Sequence, residues 1–190
     1  MNLLERFLEQ VEARTIENQK SFELLYENEC FGVCIGIIRQ EIDTLLRVSY
    51  LIDWSKGYKL RENAYDLIKS SVELGEWKYQ NNHKKMVQIR DREMLLEGGW
   101  EEVVYKFGCG LIHLSNKHLY KTSDPIVNLS DQEKEKIIHY LSYYHNYEKI
   151  DLNMLDIIEY LPKIYEKIYS NIEGYIEEII EISKQDDIVN

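Results

Sequence analysis

The chain has 190 residues, 44% of them hydrophobic, which is enough for one sizeable core, so a single domain over 1–190 is expected. Its 34 acidic against 23 basic residues give a net charge of -11, which repels nucleic acid unless positive charge is concentrated locally. Two prolines and nine mostly isolated glycines are too few to punctuate a β-rich fold, so the composition favours long helices.

In chain order, the periodicity predicts a first helix over 2–28, with Leu4, Leu8, Val11, Phe22, Leu25 and Tyr26 at helical spacing. A second helix over 29–55 is the most apolar segment and is expected to be central and buried. Its longest nearly apolar run, 31–38, falls far short of the about 20 residues that span a bilayer, so no membrane is expected. A third helix over 61–77 follows, with Ala64, Leu67, Ile68, Val72 and Trp77 inward. Asn81 and Asn82 open a loop before a basic stretch containing Lys84, Lys85, Arg90 and Arg92.

Gly98 and Gly99 break the chain ahead of a helix over 100–121. Ser130 and Glu133 form a capping-box pattern for a helix reaching about 147. Asp151 begins another helical stretch, which Pro162 should interrupt because proline cannot donate an interior hydrogen bond. The last helix then runs from 162 to 183, with an isoleucine stripe suited to intramolecular or dimeric packing. The expected class is all-α, a bundle of about six to seven helices.

The first residues lack the basic and then apolar pattern of a secretory signal, and Cys30, Cys34 and Cys109 suit reduced thiols, so a cytoplasmic protein is expected. No GxSxG, Walker loop or glycine fingerprint supports a nucleophilic hydrolase or nucleotide binder, and no cofactor is expected.

Reactive side chains concentrate in 105–120, YKFGCGLIHLSNKHLY. On a helical wheel of about 100° per residue, Lys106, Gly110, His113, Lys117 and Tyr120 share one face, flanked by Cys109 and Asn116. His113 and His118 lie about 140° apart, which rules out chelation in the i, i+4 manner, and His118 is assigned to packing. Within the apolar second helix, Arg39, Asp43, Arg47 and Tyr50 also recur at helical spacing. They form either an intrahelical ion ladder or a stripe facing His113 across a groove. A further alternative brings Cys30, Cys34, Cys109 and His113 together as a closed zinc site.

This layout, with an apolar second helix and a later helix carrying a basic residue, a histidine and a tyrosine, resembles HEPN-like domains. Their motif is arginine, four to six residues and then histidine, commonly with a polar residue after the arginine. Here Lys106 stands in the arginine position, six residues intervene before His113, and Phe107 replaces the polar residue. The resemblance implies metal-independent cleavage of RNA through its 2′-hydroxyl, with His113 in acid–base work and Arg39, Arg47 or Lys106 stabilising phosphate charge. Asn116, Lys117 and Tyr120 would then orient a phosphate or sugar, and Lys84, Lys85, Arg90 and Arg92 would guide the RNA backbone. A toxin-type or defence effector is the corresponding biological role. The alternative is a non-catalytic interaction module, a homodimer or a binder of another protein through its acidic, tyrosine-rich C-terminal half.

Overall fold

The computed structural model describes residues 2–189, with side chains to Gln185. The class is all-α: helices dominate, and among the described residues the strands are confined to two small antiparallel pairs. The chain forms two compact units. Unit 1 comprises Met1–Gln19, Asp43–Leu95 and Tyr169–Asn190; unit 2 comprises Lys20–Ile42 and Leu96–Ile168.

Helix α1 (Leu3–Glu27) begins with a reciprocal cap. Asn2 Oδ1 accepts from Glu5 N at 2.9 Å, and Glu5 Oε2 accepts from Asn2 N at 2.7 Å. Helix α2 (Phe31–Tyr50) is buried along most of its length, as its composition requires. It ends five residues earlier than periodicity predicts. Arg61 Nε donates to the Tyr50 carbonyl at 2.6 Å, taking one of the helix's free acceptors. Gly57 (φ 74°) and Tyr58 (φ 58°) then turn the chain back, so that β1 (Ile52–Asp53) pairs antiparallel with β2 (Lys59–Leu60) in the register Ile52 to Leu60.

The rest of unit 1 contains α3 (Ala64–Leu74), stopped by left-handed Gly75. Trp77, expected inside that helix, lies beyond it, 1% exposed and stacked on Phe7. Lys84 and Lys85 of the basic stretch lie within a hairpin, β3 (Lys78–Gln80) against β4 (Met86–Gln88). Asn81 Oδ1 makes its turn by accepting from His83 N and Lys85 N, both at 3.0 Å. A short helix, α4 (Asp91–Met94), follows.

In unit 2, α5 (Trp100–Ile112) stops well before 121. Ser115 Oγ donates to the Gly110 carbonyl, His113 is extended, and the chain re-enters as a 3-10 turn over Asn116–Leu119. A hydroxyl that claims a helix-end carbonyl competes with continuation of the helix. Helix α6 (Asp131–His145) starts at the predicted capping box: Ser130 Oγ accepts from Glu133 N at 3.3 Å, and Glu133 Oε2 accepts from Ser130 N at 2.9 Å.

Helix α7 (Met154–Val189) runs straight through Pro162, correcting the expected interruption. Proline removes the donor that would satisfy the Ile158 carbonyl; Tyr26 Oη donates to that carbonyl instead, at 3.2 Å. Within their respective units, Ile164, Ile168, Ile172 and Ile179 of the predicted stripe are buried. Among the described residues no helix is long and apolar enough to cross a membrane.

Candidate functional site

The early end of α5 separates the residues that the helical wheel had aligned. His113 caps the C-terminus of α5, is solvent-exposed, and donates its backbone N–H to the Cys109 carbonyl. Among the described residues no hydrogen bond or ion pair holds its ring. Lys106 is exposed and paired with Glu102 at 2.5 Å. Asn116 is exposed at the start of the 3-10 turn. His118 does not pack against another helix as expected; it is exposed, with Nδ1 3.2 Å from the Ser115 carbonyl of its own turn.

Tyr120 serves the fold. Its hydroxyl accepts from Gly32 N at 3.2 Å, satisfying a free donor in the first turn of α2, and its ring lies where a Cβ on Gly32 would meet it at 3.2 Å. Lys117 folds back along α5, its Nζ 3.5 Å from the Phe107 carbonyl and 4.8 Å from the centre of the Phe107 ring. Burial lowers the pKa of this ammonium, with Glu133 and Cys109 acting the other way.

Arg39 is 8% exposed, its guanidinium carbon 3.6 Å from the centre of the Tyr105 ring. A Cβ on Gly108 would fall 2.8 Å from Arg39 Cβ, so α5 approaches α2 closely at this point. In unit 1, Arg47 Nε donates to both Asp43 oxygens at 3.1 Å, and Arg47 also reaches Asp91 at 3.4 Å. Asp43 additionally faces Arg14 at 3.8 Å. Burial, reinforced by the neighbouring Asp91, raises the Asp43 pKa against the opposing effect of Arg47. The lower part of the predicted ladder therefore exists as a charge network. Lys84, Lys85, Arg90 and Arg92 are all exposed on the hairpin and at the start of α4, also in unit 1.

The zinc alternative is corrected. Cys34 is buried, its thiol directed at the Phe22 carbonyl at 3.8 Å, and burial pushes its pKa up to about 11. Cys30 Sγ instead lies 3.6 Å from the Asn28 carbonyl. Among the described residues no three His, Cys, Asp or Glu side chains are arranged to hold a metal.

The feature that sequence reasoning missed is a groove of about 530 Å³ between the start of α5 and the outer face of α6. Trp100 stacks on Tyr140 with ring centres 6.0 Å apart and planes within 10°, and Tyr144 closes on both. Tyr143 stands edge-on to Tyr144 at 4.7 Å and stacks with His139 at 6.2 Å. Lys167 Nζ lies 4.0 Å from the Tyr144 ring centre and 4.7 Å from that of Trp100. Beneath the wall, buried His145 Nε2 is hydrogen-bonded to Tyr140 Oη at 3.1 Å. Burial, helped by the charges of Lys167 and Lys163, pushes the His145 pKa down to about 4, so its ring is neutral at pH 7.

No protein-family model, curated protein or solved structure matches the chain. The site is thus defined by its own chemistry. A wall of stacked aromatic rings bordered by Glu102, Glu135 and Lys136 can bind by π-face contact, by apolar burial and by pairing with charged side chains.

Proposed function

We propose that the protein is a helical interaction module whose α5–α6 groove receives a partner segment bearing arginine or lysine. The carrying observation is the solvent-open aromatic wall, in which Tyr143 is 72% and Tyr144 41% exposed. Tyrosine and tryptophan are enriched among the residues that carry most of the binding energy at protein interfaces. Lys167 already rests on two of these rings, so their faces suit a cation. Glu102 is already paired with Lys106, so exposed Glu135 in the lining and the net charge of -11 are what favour a basic partner over nucleic acid. Selection from a random peptide library should enrich arginine- and lysine-bearing sequences, with Tyr143→Ala weakening the selected peptides by about tenfold or more. Enrichment without a basic bias, or unchanged binding by both Tyr143→Ala and Tyr144→Ala, would remove the proposal.

A second reading follows from the HEPN-like resemblance, a metal-independent ribonuclease of the toxin or defence type acting in the cytoplasm. The solvent exposure of His113 at the end of α5, its ring unengaged among the described residues, favours it. An RNA-cleavage assay comparing wild type with His113→Ala decides this; equal activity assigns any cleavage elsewhere. A homodimer would draw on Ile176 and Ile180, which line a groove of about 350 Å³ with Leu8 and Ile16 in unit 1. Sedimentation that stays monomeric as concentration rises would dismiss it.

A further inference from the structure

A second, smaller cavity of about 60 Å³ lies between α5 and α6, with Lys106, Lys117 and Lys136 in its lining against Glu102 and Glu133. One water needs roughly 10–15 Å³, so the space suits a group of a few heavy atoms. Its charges are unequally engaged. Lys106 is paired with Glu102, and Glu133 Oε2 accepts from Ser130 N at 2.9 Å and from Ser130 Oγ at 2.6 Å. The Lys117 ammonium holds three donors, and among the described residues its hydrogen-bond and ring contacts are the Phe107 carbonyl and ring. Its position depends on a bare backbone, since a Cβ on Gly110 would lie 2.6 Å from both Lys117 Cδ and Nζ.

The remaining walls are hydrocarbon. Val103, Phe107 and Ile137 also line an adjoining apolar void of about 30 Å³. Three lysines against two glutamates leave 3 - 2 = +1, which a monoanion balances and a phosphate dianion overshoots. The geometry points to a binding site for an aliphatic monocarboxylate, its carboxylate on the Lys117 ammonium and its alkyl chain along Val103, Phe107 and Ile137 towards the void. The site borders the partner groove and shares Glu102, Val103 and Lys136 with it, but its ligand is a small molecule and none of the stacked aromatic rings lines it, so the two readings can fail separately.

Titration calorimetry of the full chain at pH 7 with acetate, butanoate, hexanoate and hexylamine tests this. Affinity should rise about fourfold per methylene along the carboxylate series until the void is filled, while hexylamine does not bind. Lys117→Met should weaken hexanoate about tenfold or more by removing the charge-assisted contact. Gly110→Ala should also weaken it, because the charge is kept but displaced, and it provides the test if Lys117→Met fails to fold. Equal binding of hexylamine and hexanoate, a flat carboxylate series, or full affinity in the folded variants would overturn the site.

Discussion

Acidification from neutral pH should destabilise the protein through His145. The ring is 8% exposed and is held against Tyr140, with the hydroxyl at 3.1 Å and the two rings edge-on at 5.3 Å. In the unfolded chain this imidazole takes up a proton near its ordinary pKa of about 6.5. In the folded protein burial delays protonation to about 4. The unfolded state therefore binds more protons between those values, so the contribution is intact above pH 6.5 and is lost as pH falls towards 4. Between pH 7 and pH 5 the loss amounts to about 2 kcal/mol, or roughly 4–8 °C in Tm for a chain of this length. Urea denaturation at pH 7, 6 and 5 should compare wild type with His145→Phe. The variant starts about 1–2 kcal/mol lower at pH 7, because the buried Tyr140 hydroxyl loses its partner, but its stability should vary less with pH. Asp43 and Glu101, whose pKa values burial raises, gain relative stability on acidification in both proteins and cancel in the difference. Parallel curves for the two proteins from pH 7 to pH 5 would refute the reasoning.

Tyr26→Phe should cost about 1–2 kcal/mol in chemical denaturation by stranding the Ile158 carbonyl, and Pro162→Ala should recover most of it by restoring the helix's own donor; purely additive effects would show that the two are unconnected. Gly108→Ala should destabilise by about 1–3 kcal/mol, since its methyl meets Arg39 Cβ where α5 crosses α2, as thermal unfolding would report. His113→Ala should change Tm little, because its ring is exposed and holds no partner among the described residues, and a large loss would disclose a structural role.

The elements legible in the sequence are those specified by neighbouring residues. Ser130 and Glu133 cap α6 through three-residue spacing, and the apolar run of α2 needs no distant partner to declare burial. Pro162 misleads because the compensation for its missing donor comes from Tyr26, 132 positions away in sequence. The hairpin over 78–88 is not legible for a different reason. Its strands are only three residues each, too short for alternation to be read, and Asn81 sets the turn with its side chain. A tyrosine-rich C-terminal half is legible in the sequence, but the groove is not, because Trp100 joins Tyr140 and Tyr144 only through α5–α6 packing.

The segment around His113 shows how one local event redistributes candidate roles. On an uninterrupted helix, Lys117 would lie one turn beyond His113, carrying its ammonium away from Phe107. The hydroxyl of Ser115 claims the Gly110 carbonyl, the chain reverses, and Lys117 returns across Gly110 to the Phe107 carbonyl. His113 is left at the solvent edge, while the lysine assigned to a supporting place on the wheel becomes the half-buried cation of a cavity. Three-residue and four-residue spacings identify which side chains share a face only while the helix continues. Here the residues that end it, Ser115 by hydrogen bonding and Gly110 by leaving room, determine where the chemistry can occur.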